Sequence, residues 1–109
     1  MKRIRSNYST LKLLEKAKPE LRNAIISKCG PDLLRCISEV ALNVLKGNVK
    51  IKKSSKRTLK KFKDTIRKVA NKSVSDKKKK AILVQKGGFI GPLLAAVLPV
   101  LASLLFNKT

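Results

Sequence analysis

Charge is distributed along this chain in blocks, and that segregation limits what the chain can fold into. Residues 46–86 hold 17 Lys and Arg against 2 Asp and Glu. The next twenty residues, 87–106, read GGFIGPLLAAVLPVLASLLF and carry no charge at all. Ahead of both, residues 1–45 mix 9 basic with 4 acidic side chains. With 43% of its 109 residues hydrophobic, the chain is too apolar to be a disordered basic tail. The blocks predict three parts: a helical head at 1–47, a basic region at 48–86 and a hydrophobic tail at 87–109. The formal charge of +21 is self-repelling in a compact fold, so a polyanionic partner is the expected counterweight.

The apolar spacing predicts an all-α fold: a small helical hairpin, a basic amphipathic helix and a hydrophobic C-terminal helical tail. Ser9 can cap a first helix over 10–18, with Leu11 and Leu14 on one side. Pro19 suits a first helical position, and Leu21, Ala24, Ile25 and Cys29 follow at helical spacing. Gly30-Pro31 stops that helix and starts the next. There Leu33, Leu34, Ile37, Val40, Ala41, Val44 and Leu45 form a broad apolar stripe, which Gly47-Asn48 closes. Two such helices joined by a tight turn are expected to pair as a hairpin. They bury too little surface alone, so self-association or docking of a third helix is expected.

That third helix is predicted over 55–71. Leu59, Phe62, Ile66 and Val69 recur every three or four residues, and Lys56, Arg57, Lys60, Lys61, Lys63, Arg67 and Lys68 fill the remaining surface. A merely solvated helix face normally mixes Lys with Glu, whereas only Asp64 interrupts here. The expected role is polyanion binding, with Lys52, Lys53, Lys72, Lys77, Lys78, Lys79 and Lys80 extending the set. Lys dominates, Phe62 is the one ring available for stacking, and no Arg, Asn or Gln set suited to base readout stands out. The composition favours sequence-independent contact with the backbone of double-stranded DNA and a steep salt dependence. An anionic membrane surface is the competing partner. Residues 77–80 also have the character of a nuclear import signal.

Enzymatic chemistry is poorly supplied, and the chain is expected not to be an enzyme. It has no His, and its six acids stand singly. General acid–base catalysis recruits His or a tuned carboxylate beside a partner, and metal sites need clustered ligands. No Gly-rich phosphate loop is present either. Neither a cofactor nor a metal is expected. Cys29 and Cys36 read as small apolar residues on neighbouring helices; an intramolecular disulfide is the alternative, although no secretory signal accompanies it.

The uncharged run is long enough to cross a bilayer as a helix, but Gly91, Pro92 and Pro99 weaken a plain anchor. Shallow membrane insertion, packing on a partner protein, or burial as a core helix of this domain are the other outcomes. Just before it stands Gln85-Lys86-Gly87-Gly88-Phe89. A double glycine there reads as a flexible hinge, and as an extended segment that a protease groove could take as a strand.

A basic run, a double glycine and a Leu/Ala/Pro-rich apolar stretch, together at 77–105, resemble the adenovirus minor core proteins, precursors of the mu peptide (protein X). Similar proteins occur in the Polinton or Maverick transposons and in adintoviruses. The resemblance implies a virion core protein that condenses genomic DNA, found in the virion and the host nucleus. It also implies a maturation protease as partner, cutting after a double glycine that follows, two positions upstream, an aliphatic residue, Met, Asn or Gln. Gln85-Lys86-Gly87-Gly88 fits, with the cut before Phe89. The tail beyond it would contact membrane or capsid protein through 87–106. The basic run is Lys-rich where the family's is Arg-rich, and residues 9–45 have no counterpart. The alternatives are a tail-anchored or membrane-surface protein whose lysines bind anionic lipid, and the precursor of a cationic pore-forming peptide.

Overall fold

The computed structural model describes residues 2–106; residue 1 of the head and 107–109 of the expected tail lie outside them. The described residues form eight α-helices and no strand. They are α1 (Lys2–Ser6), α2 (Tyr8–Lys16), α3 (Pro19–Lys28), α4 (Pro31–Leu45), α5 (Lys53–Lys60), α6 (Lys63–Ala70), α7 (Asp76–Gln85) and α8 (Ile90–Phe106). A 3₁₀ turn, Gly87–Phe89, joins α7 to α8.

The expected all-α architecture is present, and local chemistry explains several helix ends, although Ser9, expected as a cap, lies inside α2. Pro19 and Pro31 open α3 and α4, where a missing N–H leaves no hydrogen bond unmade. Ser75 caps α7, its hydroxyl accepting from the Lys78 amide at 3.2 Å. Gly47 ends α4 in the left-handed region at φ +72°, which costs glycine nothing. The Gly47 amide then donates back to the Val44 carbonyl at 3.1 Å, and the Asn48 amide to that of Asn43 at 3.0 Å.

Pairing differs from the expected hairpin. α4 packs chiefly on α6, while α3 packs chiefly on α7. Cys29 and Gly30, between α3 and α4, are both extended (ψ 152° and 179°), which carries the chain away instead of doubling it back. α4 buries Leu33, Leu34, Ile37, Val40 and Ala41 of the expected stripe, together with Cys36, while Val44 is half-buried and Leu45, at the helix end, is exposed. Its N-terminus is tied to α1: Asp32 accepts from Asn7 Nδ2 at 2.9 Å and from Arg3 Nε at 3.2 Å.

The single basic helix expected over 55–71 is two helices. The chain leaves helical geometry at Phe62 (φ −109°, ψ 15°). The break lets α5 lie on α8 while α6 lies on α4 and α7, two directions one straight helix cannot serve. Phe62 sits at the corner, its ring centroid 6.4 Å from that of Phe89.

The largest departure concerns the hydrophobic tail. Gly87–Phe106 is long and apolar enough to cross a bilayer, yet α8 is the core helix of the domain. Ile90, Leu93, Leu94, Val97, Leu98 and Leu101 are buried against α2, α4 and α5. Head, basic region and tail therefore share one hydrophobic core, from Ile4 to Leu101, rather than standing as three units. The physical reason is supply and demand. The other helices each bury one stripe, and a helix apolar on nearly every side satisfies several of them at once. Pro99 and Ala95 are both exposed, so the hydrogen bond that a proline cannot make is lost on the solvent side.

Candidate nucleic-acid interface

The basic region is built from apolar anchors that fix cationic helices to the core. Leu59 anchors α5; Ile66, Val69 and Ala70 anchor α6; Leu83 anchors α7. With those positions turned inward, the intervening lysines and arginines are forced outward. Lys52, Lys53, Lys56, Arg57, Lys60, Lys61, Lys63, Arg67, Lys68, Lys72, Lys77 and Lys78 are all exposed.

Their electrostatic setting is unbalanced. Arg3 pairs with Asp32 at 3.2 Å and with Glu39 at 3.8 Å, and among the described residues no ion pair joins a cation from 46–86. Asp64 and Asp76 are the acids of that stretch. Lys56, Lys60 and Lys63, with Lys50, rim an apolar groove of about 550 Å³ floored by Val49, Leu59 and Ile66. Unpaired ammonium groups at this density attract polyanions whose bound counterions they can displace.

Two residues expected at this surface are elsewhere. Lys79 is 6% exposed and donates to the Ser38 hydroxyl at 3.0 Å. Burial pulls its amine below the ordinary lysine value, opposed by the charge of Asp76. The Lys80 ammonium donates to the carbonyls of Cys29 at 2.9 Å and Ser27 at 3.2 Å. It satisfies carbonyls that the end of α3 leaves without helical partners. Both lysines serve the fold, not the surface. A helical reading of 76–85 carries the signal, since Lys79 lies one turn before the buried Leu83 and Lys80 one turn before the half-buried Val84.

The double glycine is also corrected. Instead of a flexible hinge, Gly87 and Gly88 form the 3₁₀ turn, with Gly87 buried and Gly88 exposed. A Cβ on Gly87 would meet Arg22 Nε at 3.0 Å, so a side chain there would press on the arginine of α3 and shift it. Gln85 and Lys86 are exposed, but Phe89 is 0% exposed in the core. A protease could not take this segment as an extended strand without first drawing Phe89 out.

The two cysteines are free thiols. Burial pushes the Cys36 thiol up to about 12, with the charges of Glu39 and Asp32 adding to the shift. Cys29, half-buried, is raised by burial as well. No protein-family model, curated protein or solved structure matches the chain.

Proposed function

We propose that this protein binds and condenses double-stranded DNA without sequence preference, as a non-enzymatic core protein of a double-stranded DNA virus or virus-like element. The observation that carries the reading is the set of twelve exposed, unpaired cations running from Lys52, just ahead of α5, through α6 to Lys78 in α7, on helices anchored from beneath by the core. Such a surface supplies backbone contacts and lacks a readout set for base edges. The resemblance of 77–105 to the adenovirus minor core proteins supports the virion assignment, with the host nucleus as the place of assembly. Under this reading the maturation protease acts on a chain that has opened locally at Phe89, and only then do residues 89–106 become free for membrane or capsid.

A second reading, a membrane-surface protein whose lysines bind anionic lipid, is favoured by the length and apolarity of Gly87–Phe106. It requires α8 to leave the core.

The test is a titration of the full chain against two unrelated duplexes and against anionic vesicles at several salt concentrations. Equal duplex affinities, with a steep fall as salt rises, are expected. Replacing Lys56, Lys60 and Lys63 with Gln lowers the salt slope by about three, near one per lost phosphate contact. A strong preference for one duplex, or vesicle binding that outcompetes both, overturns the DNA reading.

A further inference from the structure

The cleft between α1, α4 and α7 has a different character from the exposed cationic surface. It encloses about 420 Å³, and its wall includes the nearly buried Lys79. An ammonium carries three N–H donors. Among the described residues the hydrogen bond of Lys79 Nζ is the one to Ser38 Oγ. That hydroxyl already donates to the Leu34 carbonyl at 2.9 Å, so Ser38 is a fixed acceptor that aims the lysine. A desolvated cation is thus held in place with donor capacity to spare. Water can occupy such a cleft, but an anion makes the shorter and stronger charge-assisted hydrogen bonds.

The surrounding charges define which anion. Arg35 and Lys72 line the same cleft and are exposed on their other sides. Arg3 and Glu39 also line it, and they face each other at 3.8 Å. Asp76, one turn before Lys79 on α7, is the remaining acid in the wall. Arg3 is engaged by Glu39 and, at 3.2 Å, by Asp32 outside the cleft. The groups left to face a ligand are Arg35, Lys72 and Lys79 against Asp76, a set that suits a dianion better than the single charge of a DNA backbone diester. A phosphate monoester carries between 1.5 and 2 negative charges near neutral pH, approximately, with three strong acceptor oxygens. Leu42, Ala70 and Val74 supply apolar wall for whatever the phosphate is attached to.

We propose that this cleft is a discrete site for a phosphate monoester, with Lys79 as its buried anchor and Arg35 and Lys72 closing on the outer oxygens. The site shares Lys72 with the duplex-binding surface but is distinguished from it by its anchor, Lys79, which is nearly buried. The same group occurs on a free nucleoside monophosphate and on the 5′ end of a DNA strand.

Calorimetric titration of the full chain tests the proposal with three probes: deoxyadenosine 5′-monophosphate, and one short duplex with and without 5′-phosphates. Saturable one-to-one binding of the nucleotide is expected. An added preference for the phosphorylated duplex identifies DNA ends as a source, and no such preference identifies the free nucleotide. Lys79→Met keeps the length of the side chain and suits a buried position. It is expected to weaken nucleotide binding about tenfold or more, the loss of one hydrogen bond to a charged group. Lys78→Met makes the same charge change on the exposed neighbour and is expected to alter binding by less than about twofold. Asp76→Asn, which leaves the anchor intact, is expected to tighten it several-fold, roughly the value of one nearby like charge. Equal losses in Lys78→Met and Lys79→Met, non-saturable binding, or an Asp76→Asn protein that binds no better each overturn the site in favour of a self-satisfied charge cluster.

Discussion

The Lys80 ammonium donates to the Cys29 carbonyl oxygen 2.9 Å away, locking the middle of α7 to the end of α3. A lysine from the densest cationic run of the chain is thereby spent on a helix terminus. Lys80→Met is expected to lower unfolding stability by about 1.5–3 kcal/mol, the range for hydrogen bonds to a charged group, while leaving duplex affinity nearly unchanged. Lys77→Gln should do the reverse. Chemical denaturation and a duplex titration of both variants check the pair.

Phe89 couples the integrity of the core to the accessibility of the double glycine. Phe89→Ala is expected to cost about 3–5 kcal/mol through the cavity it leaves. Cutting the folded protein with an adenovirus-type maturation protease in the presence of DNA should be slow. It should accelerate in Phe89→Ala and produce termini at Gly88 and residue 89. Mass spectrometry reads both the rate and the site. An intact chain in both proteins, beside a cleaved control substrate, leaves Gly87-Gly88 as a structural turn alone.

Ile37 lies in the middle of α4 and is 1% exposed. Ile37→Asp puts an unpaired carboxylate into the core, at a cost on the order of several kcal/mol. The melting transition of the full chain, followed by circular dichroism, should disappear or fall steeply. An unchanged transition would mean that the α4–α6 contact is not where the core lies.

Cys36 links the fold to alkaline pH. Its thiol is raised from 9.0 to about 12. A group whose folded value lies above its unfolded one contributes stability that is complete below pH 9 and lost as pH rises toward 12. Compared with Cys36→Ala, the natural chain should lose stability between pH 9 and 11, which denaturation at a series of pH values measures. At pH 8 a thiol-alkylating reagent should modify the half-buried Cys29 well before Cys36.

The helices and their inward faces were legible because 3.6-residue periodicity is a local property. Leu11 and Leu14 in α2, Leu33 to Ala41 of the α4 stripe, and Leu59, Ile66 and Val69 face the core as their spacing indicates. α3, by contrast, buries Ile26 and leaves the expected Leu21 and Ala24 exposed, as is Leu45 at the end of α4. Partner choice was not legible, since nothing local says that α4 lies on α6 or that residues 29–30 run extended. α8 is the instructive case. Uncharged length suits a bilayer and a protein interior equally, and the arbiter is how many unfilled apolar stripes the rest of the chain presents. The cationic surface followed from composition, whereas Lys79 and Lys80 were hidden by their neighbours in the run 77–80. The phosphate cleft could not be read at all, because it joins Arg35, Lys72 and Lys79 across three separate stretches of chain.

The placement of α8 has a consequence for biosynthesis. α2, near the beginning, has α8 as its main packing partner, so that contact spans most of the chain. Helical domains rich in local contacts fold fast, and long-range pairing slows them. During translation α2, α4 and α5 emerge with apolar faces that have no α8 to cover them, and the lysines between 46 and 86 reach solvent before the core can close. Nascent chains stalled before residue 90 should therefore be protease-sensitive, and an anionic binding partner that arrives early meets the cationic segment before it has become a fixed surface.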